Sequence, residues 1–248
     1  MLHNRIEQCP MIFCYLKADI VFDWSEVMSG KTAIVIGATG MVGKQVLQHL
    51  LDLAAYKKVI AVTRKPIPAH PKLKNLVLDF DKLAEGLKNI KADEAFCCLG
   101  TTIKQAGTKA AFHKVDYTYN FEFAHTLKQN GCQHFLLISA LGAFPKSVVF
   151  YSRVKGLLEK DITELNFARL SIFRPSLLLG EREQNRLGEN LAARFFPLIS
   201  PFLRGGLRAI QPIHGHQVAQ AMVAIAQQAA PDDNPHFYYY DEMLSVTA

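Results

Sequence analysis

The residues of this chain best equipped for chemistry are Ser139, Tyr151 and Lys155. Ser139 follows the apolar run Phe135 to Ile138, and Tyr151-Ser152-Arg153-Val154-Lys155 comes after a short loop. On a helix, Tyr151 and Lys155 stand at i and i+4 and share a face. A phenol ordinarily titrates at about 10, too high for acid–base work near neutrality, but an adjacent ammonium and a cationic nicotinamide both favour its ionised form. The set therefore predicts carbonyl reduction, with Tyr151 as general acid, Ser139 as hydrogen-bond partner of the carbonyl oxygen, and Lys155 as ribose anchor and pKa depressant. YxxxK by itself is a weak motif that reads equally as an exposed aromatic beside a solvated cation. Its placement after a strand-end Ser and downstream of a dinucleotide loop gives it meaning.

That loop is Gly37-Ala38-Thr39-Gly40-Met41-Val42-Gly43, set between the apolar run ending at Ile36 and a helix start. Gly37 is read as the tight turn, Gly40 as the position where a side chain would block phosphates, and Gly43 as the close contact between helix and strand. The helix N-terminus adds free N–H groups and a partial positive charge. The second strand ends in Thr63-Arg64-Lys65, where an NAD site ordinarily shows an acidic residue, so Arg64 and Lys65 favour the 2′-phosphate of NADP(H) over NAD(H). The plain alternative is two basic residues on a solvated loop. Asp79, in Leu78-Asp79-Phe80-Asp81, either holds the adenine edge or belongs to a helix cap in which Asp81 accepts from early amides.

The elements that must position these groups follow a βαβα rhythm, with strands expected at 32–37, 58–63, 75–78, 94–98, 134–138 and 168–173. Helical spacing occupies 41–53, 81–89, 109–130, 148–164 and about 216–229, with Gly131 as a C-terminal stop. The fold class is α/β, a doubly wound parallel sheet in three α/β/α layers, with a small C-terminal substrate or lid region. Residues 1–29 are expected to be an extension, either a misassigned start before Met28, an added helix or a loose arm. Residues 30–248 are read as a single domain with the lid at about 181–215.

The composition sets the outer limits. The 248 residues are 50% apolar, enough for one large core, and carry a formal charge of +6 and a pI near 9.0, compatible with phosphate-bearing ligands. Basic residues are scattered, without interleaved aromatics, which argues against nucleic acid. Cys9, Cys14, Cys97, Cys98 and Cys132 show no zinc spacing, and their odd number suggests a reducing compartment. Cys97 and Cys98 are read as inert packing residues rather than redox groups. No apolar stretch reaches the roughly 20 residues of a membrane span. Pro10 to Phe22 resembles a signal core but is interrupted by Lys17 and Asp19, so the expected location is cytoplasmic.

From about Lys31 to about Ala226 the chain resembles the atypical short-chain dehydrogenase/reductases, in the branch named for the Tat-interacting protein. Beyond the motifs above, the resemblance rests on Cys97-Cys98-Leu99-Gly100-Thr101-Thr102, Val115-Asp116, Gly131-Cys132-Gln133-His134-Phe135, Val154-Lys155-Gly156 and Phe173-Arg174-Pro175. It implies NADPH along the C-terminal strand ends, near Gly37, Thr39, Gly40, Met41, Val42, Arg64, Lys65, Asp79 and Phe80. It further implies that Leu99, Gly100 and Thr101 line the nicotinamide side, with Tyr151, Lys155, Arg174, Ser176 and Leu177 closing over it. Two positions depart from the family pattern: Asp116 stands where typical members have a helical Asn, and Ala38 and Thr39 interrupt a strict GxGxxG.

His214 is read as a substrate contact or, with His216, as part of a helix cap. The stretch 181–210, rich in Phe and Arg, is read as a mobile lid, with a protein-partner surface or membrane-surface patch as alternatives. The competing functional reading is a catalytically weak NADPH-binding regulator or assembly protein. The oligomeric state is left open by the sequence, with a homodimer through 109–130 and 148–164 as one candidate, because this fold often pairs through its long helices.

Overall fold

The structure is a computed structural model, and it describes residues 30–180, 210–229, 231 and 233–246. The expectations for residues 1–29 and for the lid, partner and membrane-patch readings of 181–209 lie outside the described residues. Seven strands form one parallel sheet: β1 (Lys31–Ile36), β2 (Tyr56–Thr63), β3 (Leu73–Val77), β4 (Glu94–Cys97), β5 (His134–Ile138), β6 (Arg169–Phe173) and β9 (His236–Tyr238), in the order β3-β2-β1-β4-β5-β6-β9. A separate two-stranded pair joins β7 (Leu178–Leu179) to β8 (Ile213–His214). The strand order reverses between β1 and β4, and in open α/β sheets ligands bind beyond the C-terminal strand ends at such a point.

The strands are near-continuous apolar runs because both faces of the sheet are covered. In β1, Ala33 and Val35 pack on one face, under α1 (Met41–Asp52) and α7 (Gly215–Gln227). Ile34 and Ile36 pack on the other, among residues of α2 (Leu83–Leu87), α5 (Tyr119–Gln129) and α6 (Phe150–Glu164). Helix α1 forms because Val42, Val46, Leu47, Leu50 and Leu51 fall on one face at helical spacing, and it stops where Leu53 turns extended. The short α8 (Tyr240–Ser245) closes the first face through Met243.

Two regions differ from the sequence expectation. The stretch 109–130 is interrupted: α4 (Lys109–His113) passes through a π-turn, Lys114–Thr118, before α5 begins. The wider turn lies at Val115, whose carbonyl oxygen accepts from the Asn120 side chain at 3.2 Å, and at Asp116, which is 1% exposed. Strand β9 and helix α8 have no counterpart in the sequence reading, nor does the single-turn α3 (Ile103–Ala106), capped by Thr102. Three to six residues are too few for hydrophobic periodicity to register.

Candidate functional site

At the switch point, β1 runs into a turn built of small residues. Gly37 has φ +77°, and a Cβ there would stand 2.5 Å from the Cys98 carbonyl carbon. A Cβ on Gly43 would lie 2.1 Å from the Gly37 oxygen, so the helix can pack this closely only on glycine. Gly40 is different, since among the described residues its one neighbour within contact would be the Gly37 oxygen at 3.3 Å. It also caps α1 without a side-chain hydrogen bond, and the first turn holds no acidic residue. The amides of Met41, Val42 and Gly43 are therefore without an acidic residue in their own turn or a side-chain cap, beside the exposed Thr39 and Gly40. This cradle fits a pyrophosphate.

At the end of β2, Thr63 donates to the Lys65 carbonyl at 2.7 Å and accepts from Asn75 at 2.8 Å, which ties the turn down and leaves Arg64 and Lys65 exposed. The Arg64 guanidinium lies 5.9 Å from the ring centre of Phe80, itself buried. Asp79 takes the capping role of its two expected alternatives, accepting from the Asp81 N–H at 3.0 Å. Asp81 is not the cap acceptor; it pairs with Lys114 at 2.6 Å and accepts from Tyr119.

Behind the β4 loop, the buried Lys155 ammonium lies 2.8 Å from Asp116 Oδ1, and Asp116 Oδ2 accepts from the Thr101 N–H at 2.8 Å. One carboxylate thus fixes both the cation and the loop Leu99-Gly100-Thr101. At Gly100 a Cβ would come within 3.3 Å of Asp116 Oδ1, a tight contact, and within 3.7 Å of Lys155 Nζ, an ordinary one. Burial works against the charge on Lys155, but Asp116 and the Tyr151 hydroxyl outweigh it and its pKa is pushed up to about 12. Lys155 is therefore an ammonium throughout the neutral range. Tyr151, partly exposed one turn earlier, packs its ring 5.6 Å from that of the buried Phe112. The hydroxyl of Ser139, 5% exposed, has no hydrogen-bond partner among the described residues, whereas a buried donor ordinarily finds one.

Sequence reasoning missed the supporting residues. Asn120 is fully buried, accepts from the Cys97 thiol at 2.9 Å, and donates to the carbonyl oxygens of Leu99 and Val115 at 3.2 Å each. Asp116 was recognised only as a departure, not as the partner of Lys155. The available signal was an Asp and an Asn at i and i+4 on the otherwise apolar face of Phe112, Phe123 and Leu127. Burial pushes the Cys97 thiol up to about 12 and Cys98 well above the ordinary thiol range, in keeping with packing rather than reactivity.

The C-terminal flank is only partly as expected. Arg174 donates to Glu159 at 3.0 and 2.6 Å and to Tyr239 at 2.8 Å, with its guanidinium 4.2 Å from the Phe237 ring centre. Its side chain fastens α6 to the β9 region. Ser176 donates to the Gln211 carbonyl and Leu177 accepts from Ile213 at 3.0 Å, so both hold the β7–β8 pair. His214 stands at the cap of α7, where its N–H donates to Gln217 at 3.1 Å.

Comparison with known proteins places this geometry. Protein HTATIP2 of Rattus norvegicus is 39% identical over 174 residues, 68% of this chain and 72% of its own length. Protein FMP52-1, mitochondrial, of Scheffersomyces stipitis is 37% identical over 221 residues, 85% of this chain and 95% of its own. In fold, the chain matches MoeE5 in complex with UDP-glucuronic acid and NAD, with a TM-score of 0.61 at 16% identity over 86% of this chain and 80% of that one. The Bordetella bronchiseptica enzyme WbmF in complex with NAD+ gives 0.63 at 15%, over 89% and 77%. The relatives correct one expectation. FMP52 proteins carry the word mitochondrial in their names, against the cytoplasmic reading. That reading rested on apolar segment length, which tests insertion into a bilayer and not an organelle address. No helix among the described residues is long and apolar enough to cross a membrane. With the glycine turn at the switch point, the HTATIP2 and FMP52 likeness, and a family profile spanning residues 33–238, the chain belongs to the NAD dependent epimerase/dehydratase family.

Proposed function

We propose that this protein is an NADPH-linked oxidoreductase that reduces a small carbonyl compound through Tyr151, Lys155 and Ser139. The observation that carries the reading is the buried, permanently charged Lys155, held by Asp116 one helical turn from Tyr151 and near the glycine-lined switch point. Family membership and the NAD named with solved neighbours of the same fold support a dinucleotide. The pyrophosphate rests on the amides from Thr39 to Gly43, and a 2′-phosphate on Arg64 and Lys65, both exposed and without an acidic partner among the described residues. Leu99, Gly100 and Thr101 border the nicotinamide. When bound, the cofactor supplies a hydride.

The protein's own groups do the rest. The Ser139 hydroxyl donates to the substrate carbonyl oxygen, which gives that buried donor its missing partner. Tyr151 donates the proton that completes the alcohol, and the phenolate left behind is stabilised by the neighbouring ammonium. Lys155 has three donors, of which one meets Asp116, so two remain for the phenol and for ribose hydroxyls. Asp116 holds the ammonium in place through the cycle.

A thermal-shift titration with NADPH, NADP, NADH and NAD tests the reading. A ligand at about 100 times its Kd adds about 2.7 kcal/mol to native-state stability, so the 2′-phosphorylated pair is expected to raise Tm most. No shift from any of the four overturns the proposal.

A further inference from the structure

The exposed large apolar side chains among the described residues are Val77, Ile103, Phe144, Val148, Val149 and Ile210. Val77 ends β3, Ile103 follows β4, and Phe144, Val148 and Val149 lie between β5 and α6, all at the C-terminal edge of the sheet. Ile210 precedes Gln211, which accepts from Ser176 beyond the end of β6. The apolar exposure is thus confined to the rim that carries the candidate site. Half of these residues belong to the one loop that joins Ser139 to Tyr151, where Phe144 is 56% exposed, Val148 94% and Val149 57%.

The loop is not loose. The Phe144 N–H donates to the Ser152 carbonyl at 3.0 Å, Ser147 N–H to the Phe144 carbonyl at 3.0 Å, and the Arg153 guanidinium to the Ser147 carbonyl at 2.7 Å. It is also pressed onto α6 at Gly156, where a Cβ would stand 2.3 Å from the Phe144 carbonyl carbon. A backbone fixed at both ends while its apolar side chains face water spends solvation free energy in the absence of a ligand. The aromatic surface continues inward: Phe112 is fully buried, 5.6 Å from the Tyr151 ring and 5.7 Å from that of Phe150. From Ser139 to Leu158 the sequence holds no carboxylate, and the Arg153 guanidinium is held by the loop carbonyls and lies 5.8 Å from the Phe150 ring centre. Recognition of a polyhydroxylated sugar needs several convergent acceptors and donors, whereas an apolar ligand needs walls of this kind and few polar groups.

We propose that the substrate is a carbonyl compound with an apolar hydrocarbon or aromatic body, seated on Phe144, Val148 and Val149 beside Tyr151, and not a nucleotide sugar. The inference rests on the carbonyl-reduction reading above and names the substrate class of that site. The reaction adds one hydride and one proton across C=O to give an alcohol. The reduced dinucleotide is the two-electron donor and leaves oxidised, and Tyr151 gives the proton and recovers it from solvent.

Equilibrium binding to the full-length protein tests it, with acetophenone, decanal and UDP-glucose as probes, on the parent and on a combined Phe144→Ser, Val148→Ser, Val149→Ser variant. The altered side chains are exposed, so the variant is expected to fold with parental Tm. The parent is expected to bind the two apolar carbonyls and not UDP-glucose, and the variant to bind them about tenfold more weakly, with an equal rise in KM and little change in kcat. Equal binding by parent and variant overturns the proposal, as does UDP-glucose binding more tightly than either carbonyl. Concentration-dependent dimerisation or vesicle co-sedimentation lost in the variant, with carbonyl binding unaltered, assigns the patch to another occupant and overturns it too. Failure of the reduction reading is separate: it shows as parental turnover in Tyr151→Phe, or as no NADPH stabilisation, while probe binding still follows the loop.

Discussion

At the N-terminal ends of the strands, most buried polar groups find partners within the chain, Arg169 Nε being an exception among the described residues; at the C-terminal ends, several are left facing outward or without one. Glu94, 4% exposed, is paired with Lys31 at 2.7 Å and accepts from Tyr56, which in turn accepts from Gln227 at 2.7 Å. Arg169 donates to the last-turn carbonyls of α7, Ile225 and Gln228, at 2.7 and 2.8 Å, and Asn234 accepts from Leu170 at 2.7 Å while donating to Phe167 at 2.9 Å. His134 shares a 3.0 Å hydrogen bond with Ser171. The opposite edge has a helix N-terminus at Gly40 with no side-chain cap, a buried Ser139 hydroxyl without a partner among the described residues, and a rim of exposed apolar side chains. One end closes the fold, and the other keeps unsatisfied groups where a ligand can satisfy them, at a cost in stability that the closed end offsets.

If the ends divide the work in this way, a change at one leaves the readout of the other intact. The largest expected effect is on turnover: Tyr151→Phe lowers kcat by about 10²- to 10⁴-fold, while the NADPH-induced rise in Tm persists. Parental activity in that variant breaks the assignment of chemistry to this edge. Next is Glu94→Gln, which leaves Lys31 and Tyr56 without their carboxylate. It is expected to cost about 1 to 3 kcal/mol in urea unfolding, toward the low end because Lys31 is partly exposed, with NADPH affinity unchanged. A loss of cofactor binding at parental stability contradicts the division.

The third effect is pH dependence. Burial, with Arg169 and Lys31 nearby, lowers the His134 pKa to about 3 from an ordinary value of about 6.5. Between those values the unfolded chain binds a proton that the native state refuses, so this contribution is fully present above about 6.5 and is lost as pH falls toward 3. The slope approaches about 1.4 kcal/mol per pH unit for this one group. Urea midpoints measured from pH 7 to pH 4 on the parent and on His134→Gln check it, and identical slopes rule out His134 as the cause. The smallest effect sharpens the comparison at the ligand end: Arg64→Ala is expected to reduce the preference for NADPH over NADH by about tenfold, with Tm of the free protein unchanged. An unaltered ratio assigns the choice of cofactor elsewhere.

The strands from β1 to β6 were legible in the sequence to within a residue or two, because a sheet covered on both faces writes itself as apolar runs separated by helical spacing. The glycine turn was legible for a related reason: Gly37 and Gly43 stand where any Cβ meets backbone, and residue type alone records that constraint. Tyr151 and Lys155 were found by their spacing. The π-turn at Lys114–Thr118 was not, since one extra residue in a turn leaves the apolar pattern of the flanking helices intact. The partners of Arg174 were not legible, because a motif shows that a guanidinium is present but not that Glu159 and Tyr239, distant in the chain, hold it.

The sequence by itself determined the parallel α/β architecture, the cradle at Gly37 to Gly43 and the identity of the Ser, Tyr and Lys set, since each is encoded in local composition or in spacing along one element. Tertiary structure alone decided that Lys155 is paired with Asp116, that Asn120 braces the loop at Leu99, that Ser139 is buried without a partner among the described residues and that Phe144, Val148 and Val149 face solvent on a fixed loop. The physical reason is that charge pairing, satisfaction and exposure are properties of neighbours brought together from separate strands and helices, and hydrophobic periodicity carries no information about which polar groups will meet.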